Sequence, residues 1–291
     1  MIKWAGGKYR LSETIIEMSQ RFIDWGSFDR YVEPFVGGGG MFFAISNRFS
    51  FKEKVISDIN ADLVNLYLKL RDDSVALLSL LQSLEADFNS QSSDEEKELF
   101  YYTLREKFNR GILTGQMGLE HAAFFVALNR LGFNGLYRVN SQGLFNVPFG
   151  KKSHIKLVDV QNFQRVRDVL QNTEILLGDF EETLRYADSK TLFYFDSPYR
   201  PISDTAAFTA YAKGDFNDQE QRRLAQFCER IYGQEATFVL SNSDPKNTDK
   251  TDGFFDDLYQ DYKIMRIEAT RLISARAGGR GRVSEILVIG D

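Results

Sequence analysis

A chain of 291 residues, 43% hydrophobic and 26% charged, has the composition of an ordinary globular protein and the length of one large domain or of one domain carrying an insert. Two histidines, His121 and His154, and one cysteine, Cys228, are too few for a zinc site, allow no internal disulfide and point to a reducing cytoplasm. The net charge of −5 excludes whole-molecule attraction to a polyanion, and the longest apolar run, AAFFVAL at 122–128, is far too short to cross a bilayer.

The chain opens on MIKWAGGKYR, which lacks the apolar core of a signal peptide. It sets an aromatic ring (Trp4), two glycines and a lysine (Lys8) ahead of the first strand; Trp4 packs on a ligand or on the core. RYVEPF predicts a short strand, VGGGG breaks it, MFFAISNRF opens a helix and KVISDI reads as a second strand. A glycine-rich turn between strand and helix lets a ligand approach the backbone and points helix amides at an anion, though a merely tight turn uses glycine too. Asp58 ends the second strand, 21 residues after Gly37, the usual separation for an acid that binds ribose hydroxyls. The glycines do not spell the dinucleotide fingerprint. DINAD at 58–62 imitates the start of an EF-hand, but Leu63 and Lys69 stand where that loop needs glycine and glutamate.

From about 62 to 130 the spacing is helical, with Leu63, Leu66 and Leu70, then Leu77, Leu78, Leu81 and Leu84. NSQSSDEEKE at 89–98 is a polar helix start. LGFNGLYRVNSQGLFNVPFG at 131–150 carries Asn134-Gly135 and Gln142-Gly143 between apolar residues, a hairpin signal. Strands return in EILLGDF, TLFYFD, ATFVLSNSD and SEILVIGD, with helical stretches between several of them. Alternating strands and helices predict an α/β domain with a mostly parallel sheet, into which the helical and hairpin block is inserted. The expected division is 1–60 with 170–291, and 61–169 as the insert.

Charge is unevenly spread. Residues 51–100 hold 11 acids and 5 bases, residues 101–165 hold 9 bases and 3 acids, and 270–284 carries four arginines and no acid. Local basic surfaces on an acidic chain suit one-faced grip of a polyanion, or are simply solvated.

The most informative stretch is FYFDSPYRP at 193–201. It ends an apolar strand on Asp196, and ligands of open α/β sheets bind beyond such strand ends. Pro198 and Pro201 stiffen the turn. Asp196 and the Ser197 carbonyl can both accept hydrogen bonds from one exocyclic amine while Tyr199 stacks on the attached ring.

KWAGGK, EPFVGGG, SDINADL, FNGLYRVNSQGLFNVPFG, GDF, FDSPY, LSNSD and VSEILV, in this order and over nearly the whole chain, resemble the Dam-type N6-adenine DNA methyltransferases (D12 class, α-group). The likeness extends to the GATC-specific members, both solitary enzymes and modification enzymes of restriction systems. It implies a Rossmann-like methyltransferase domain with a seven-stranded sheet, plus an inserted target-recognition domain. It implies S-adenosylmethionine held by Trp4, Lys8, Glu33, Pro34, Phe35, Gly37, Gly39, Asp58, Asp179, Phe180 and Asp196. Lys8 would face its carboxylate, Asp58 its ribose, and Asp179 with Phe180 its adenine. Asp196, Ser197, Pro198 and Tyr199 would form the catalytic loop, with serine where the family usually has proline. Asn134, Leu136, Tyr137 and Arg138 would read bases, and Lys151, Lys152, Arg276, Arg280 and Arg282 would meet phosphates. The loop at 200–216 would close over DNA and cofactor. The expected partner is double-stranded DNA, bound by a monomer with no metal and no membrane contact. His121 and His154 are expected to be structural. A catalytically silent DNA-binding protein, or an enzyme acting on an amino group of RNA or of cytosine, remains the alternative.

Overall fold

The computed structural model describes residues 2, 4, 8, 11–200, 216–270 and 282–291. Arg276, Arg280 and most of the 200–216 loop lie outside the described residues. Among the described residues seven strands form one sheet: β1 (Arg30–Glu33), β2 (Glu53–Asp58), β3 (Thr173–Leu177), β4 (Thr191–Phe195), β5 (Thr237–Ser243), β6 (Lys263–Thr270) and β7 (Arg282–Gly290), in spatial order β3-β2-β1-β4-β5-β7-β6. β1 pairs in parallel with β2 and β4, and β4 with β5; β7 is antiparallel to both β5 and β6. This is the mostly parallel α/β sheet that the alternation of elements predicts, and its seven strands match the Rossmann-like domain that the resemblance implies. β6 was not expected from the sequence.

The chain divides into two compact units. One comprises Met1–Gly7, Gly37–Gly39 and Asp58–Leu177; the other comprises Lys8–Val36, Gly40–Ser57 and Gly178–Asp291.

The second unit holds most of the sheet, with helices α1 (Ser12–Ser19) and α2 (Gly40–Arg48) among its earlier elements. All five residues of β4, TLFYF, are buried, as a central strand covered on both faces requires. The Phe193 and Phe195 rings pack on Phe227 and on each other, and Phe195 also meets Phe238.

The first unit is mainly helical: α3 (Ala61–Asp72), α4 (Ser74–Asn89), α5 (Asp94–Thr114), α6 (Leu119–Leu131) and α7 (Val160–Leu170). The polar break at 89–98 is a helix start, because Ser93 and Glu96 form a reciprocal capping box. The apolar run at 122–128 is buried in α6 except for the half-buried Phe124, and among the described residues no helix is long and apolar enough to cross a membrane.

The hairpin expected at 131–150 is reduced to two isolated antiparallel bridges, Gly132 with Phe149 and Val139 with Phe145, beside a 3-10 turn at Phe133–Gly135. Side chains of α5 replace ladder bonds. Asn109 takes both the N–H and the carbonyl of Phe145, at 2.9 and 3.0 Å, and the Tyr101 hydroxyl donates to the Val147 carbonyl at 2.8 Å.

Candidate active site

In the second unit, the carboxyl edge of the sheet gathers the acids. β1 ends on Glu33, and β4 runs directly into Asp196. β7 runs the opposite way, and its register sets Glu285 opposite Ser243 at the end of β5, so that Glu285 reaches the same edge.

The Lys8 side chain, 3% exposed, meets both acids. Its Nζ donates to Glu285 Oε2 at 2.9 Å and stands 3.2 Å from Asp196 Oδ1. It also donates to the Tyr199 hydroxyl, which in turn donates to Glu285 Oε1 at 2.8 Å. Burial alone would favour a neutral amine, but Asp196, Tyr199 and Glu285 outweigh it and hold Lys8 above the ordinary lysine range. Burial pushes the Asp196 carboxyl up to about 6; Lys8 opposes this and Glu285 adds to it. The Asp196 side chain is nonetheless 20% exposed, and Tyr199 is 36% exposed. Behind them the buried Glu33 accepts the Tyr31 hydroxyl at 2.6 Å, and burial raises its carboxyl well above the usual range against that bond.

Further contacts hold the described start of the loop after β4. The Ser197 hydroxyl, at the position where the resemblance leads one to expect proline, accepts from Asn242 Nδ2 at 3.1 Å, and both residues are buried. Gln221 Nε2, on α8 (Asp218–Tyr232), donates to the Pro198 carbonyl at 3.0 Å. Arg200 is clamped between Asp218 and Asp252, each at 2.6 Å.

Farther along this unit, the Phe35 and Phe180 rings stand 5.4 Å apart, and Pro34 is buried. The Asp179 carboxylate accepts both terminal nitrogens of Arg223, at 2.9 and 2.7 Å, while the guanidinium lies 4.3 Å over the Phe180 ring. Burial would raise the Asp179 carboxyl, but Arg223 and the Glu181 amide leave it below the usual range.

In the first unit, Gly37 and Gly39 have φ of 48° and 72°, a conformation that glycine adopts without penalty. The Gly37 amide donates to Asp58 Oδ2 at 3.0 Å and the Asn60 amide to Oδ1 at 2.9 Å. Burial lifts the Asp58 carboxyl to about 6, against the amides of Asn60, Gly37 and Ile59. Trp4 is half-buried and stacks on Tyr137 at 5.5 Å.

The residues expected to read DNA separate. Asn134, with φ of 56°, and Arg138 are exposed, and Leu136 is half-buried. Arg138 Nε donates to Asn146 Oδ1 at 2.7 Å. Lys151 and Lys152 are exposed. Tyr137 corrects the expectation: it is a core residue, and its hydroxyl donates to the buried Asp62 at 2.6 Å. The other Asp62 oxygen meets His121 Nε2 at 2.7 Å, and the His121 ring stacks on Phe108.

Sequence reasoning missed Glu285, Asn242 and Arg223. Neither of the first two had a local signal: Asn242 lies between Ser241 and Ser243 at the polar end of β5, and Glu285 reaches the site only through the register of β7. Arg223 had none, being one base on a polar helix face.

The family model for D12 class N6 adenine-specific DNA methyltransferases matches residues 4–273. A type II methyltransferase, M.MjaIII of Methanocaldococcus jannaschii, is 39% identical over 289 residues, covering 99% of this chain and 97% of that protein. M1.LlaDCHI, a type II methyltransferase of Lactococcus lactis subsp. cremoris, is 33% identical over 288 residues, 98% of this chain and 93% of that one. The DNA adenine methylase of Escherichia coli (strain K12) is 33% identical over 292 residues, 99% of this chain and 94% of that one. The chain therefore belongs to the D12 class N6 adenine-specific DNA methyltransferases, enzymes that carry a methyl group from S-adenosylmethionine to N6 of adenine in DNA.

Proposed function

We propose that this enzyme methylates adenine within GATC of double-stranded DNA, acting as a monomer in the cytoplasm on a base turned out of the helix. The observation that carries this reading is the end of β4. Asp196 is a partly exposed carboxylate at the sheet's carboxyl edge, followed within three residues by an exposed aromatic ring. Bound S-adenosylmethionine supplies an electrophilic methyl on a sulfonium; the protein's task is to position a weak nucleophile for direct in-line transfer. The adenine amine is weak because its lone pair is delocalised into the ring. Asp196 and the Ser197 carbonyl accept its two N–H bonds, which favours a pyramidal nitrogen with a localised lone pair. Positioning and electrostatics then carry the step, without a covalent enzyme intermediate: the N–CH3 bond would form as the S–CH3 bond breaks, the donor would leave as a neutral thioether, and the surplus N6 proton would pass to the Asp196 carboxylate and on to solvent. The amine is inaccessible in a paired duplex, so the base is flipped at a cost of roughly a few kcal/mol, which stacking on Tyr199 helps offset.

The cofactor fits the residues present. The left-handed backbone at Gly37 and Gly39 suits close approach of a ligand, and the Asp58 carboxylate is an acceptor of the kind ribose hydroxyls need. Trp4, Lys8, Glu33, Pro34, Phe35, Asp179 and Phe180 complete the proposed cofactor set. Residues 61–169 are proposed as the target-recognition domain. There, Arg138 binds guanine in the major groove, Asn134 and Leu136 contact neighbouring bases, and Lys151, Lys152, Arg276 and Arg280 contact phosphates.

Asp196→Ala tests the loop. Single-turnover transfer should fall by about 10²–10³-fold or more while calorimetry still detects cofactor binding. Transfer within a few-fold of the unaltered enzyme would sink the assignment.

A further inference from the structure

Glu285 is an acid inside an apolar strand, and neither the site proposed above nor the family resemblance gives it a role. Its two oxygens do different work. Oε2 accepts the Lys8 ammonium at 2.9 Å, closer than the 3.2 Å at which that ammonium stands from Asp196. Oε1 accepts the Tyr199 hydroxyl at 2.8 Å, and that hydroxyl accepts from Lys8. The three groups thus close a ring of charge-assisted hydrogen bonds beside the Asp196 carboxylate, with the Glu285 side chain only 13% exposed.

We propose that Glu285 is a positioning residue for methyl transfer: it shares the Lys8 ammonium with Asp196, so that the Asp196 carboxylate does not hold that charge alone and keeps acceptor capacity for the adenine amine, and it fixes the Tyr199 ring through its hydroxyl. The proposal rests on reading Asp196–Tyr199 as the reacting loop. An ammonium held by Asp196 alone would occupy the lone pairs the amine needs, and a Tyr199 without its acceptor would lose a fixed ring plane. The charge of Glu285 also repels that of Asp196 and contributes to its raised carboxyl. The other titratable groups coupled to Asp196 are Lys8, Glu33 and Tyr31 on β1, Tyr194 on β4, and Tyr199.

Glu285→Gln keeps the shape and removes the charge. The expected result is a fall in kcat of about tenfold or more, the scale of one lost charge-assisted hydrogen bond. In the protein alone, the Asp196 carboxyl, followed by carbon-13 NMR, should titrate at lower pH than in the unaltered enzyme, a shift a merely structural residue would not produce. Tyr199→Phe keeps the ring and deletes the hydroxyl, so adding Glu285→Gln to it should cost less than Glu285→Gln costs alone. Unchanged kcat with unchanged Asp196 titration overturns the proposal, and so does simple multiplication of the two effects. If Glu285→Gln does not fold, Glu285→Asp decides. Reduced kcat with the Asp196 titration kept supports the role, and unaltered kcat refutes it. Asp196→Ala separates the two readings: transfer surviving there removes the loop assignment itself, whereas a dead Asp196→Ala beside a fully active Glu285→Gln removes only the role of Glu285.

Discussion

Asp196 reconciles two demands that usually conflict. Burial disfavours its charge and lifts its carboxyl to about 6, with Lys8 opposing the shift and Glu285 adding to it. The proposed chemistry needs the ionised form, since a protonated carboxyl would donate to the amine rather than accept from it. The single-turnover rate should therefore be flat above neutrality and fall as pH drops through about 6, by about tenfold per pH unit below it. A rate constant from pH 8 down to 5 would contradict the role. Asp196 itself was legible in the sequence, because an acid and an aromatic ring at the end of a buried strand are rarely accidental. Its partner Glu285 was not, because the antiparallel register of β7 that brings it to the same edge is a matter of pairing, not of local pattern.

Among the elements, the segment at 131–150 shows most clearly where local pattern stops. Its turn residues were readable, and Gly143 does take the left-handed conformation such turns need. What sequence could not supply was the competition for its backbone by Asn109 and Tyr101 on α5, which leaves bridges in place of a ladder. Nor did it expose the inward turn of Tyr137, whose hydroxyl shares buried Asp62 with His121. Asp62 thereby ties α3 and α6 to the stretch between Leu136 and Arg138. Asp62→Ala would strand both buried partners and should lower unfolding free energy by about 2–6 kcal/mol in chemical denaturation. A change within experimental scatter would show that the network is only loosely packed. β6 went unread for a different reason: KIMRIEAT interleaves apolar with charged residues, the mark of an edge strand, and offers no apolar run like that of the central β4.

For the whole molecule, the α/β class and the parallel sheet followed from the alternation of elements, and the ordered set of motifs identified the family. The division into units did not follow the same line. By its contacts, the chain places Gly37–Gly39 and Asp58 with the helical unit, and Glu33, Pro34 and Phe35 with the sheet. Residues adjacent in sequence thus belong to different compact units, which hydrophobic periodicity does not reveal. The basic balance of residues 101–165 on an acidic chain fits a protein that meets DNA through one part of its surface. The most direct measurement is transfer of labelled methyl from S-adenosylmethionine to duplexes carrying GATC or any one-base change of it, with the modified base identified afterwards. The expected product is N6-methyladenine in intact GATC alone. Label on cytosine or in RNA, or equal labelling of the altered duplexes, would contradict the account.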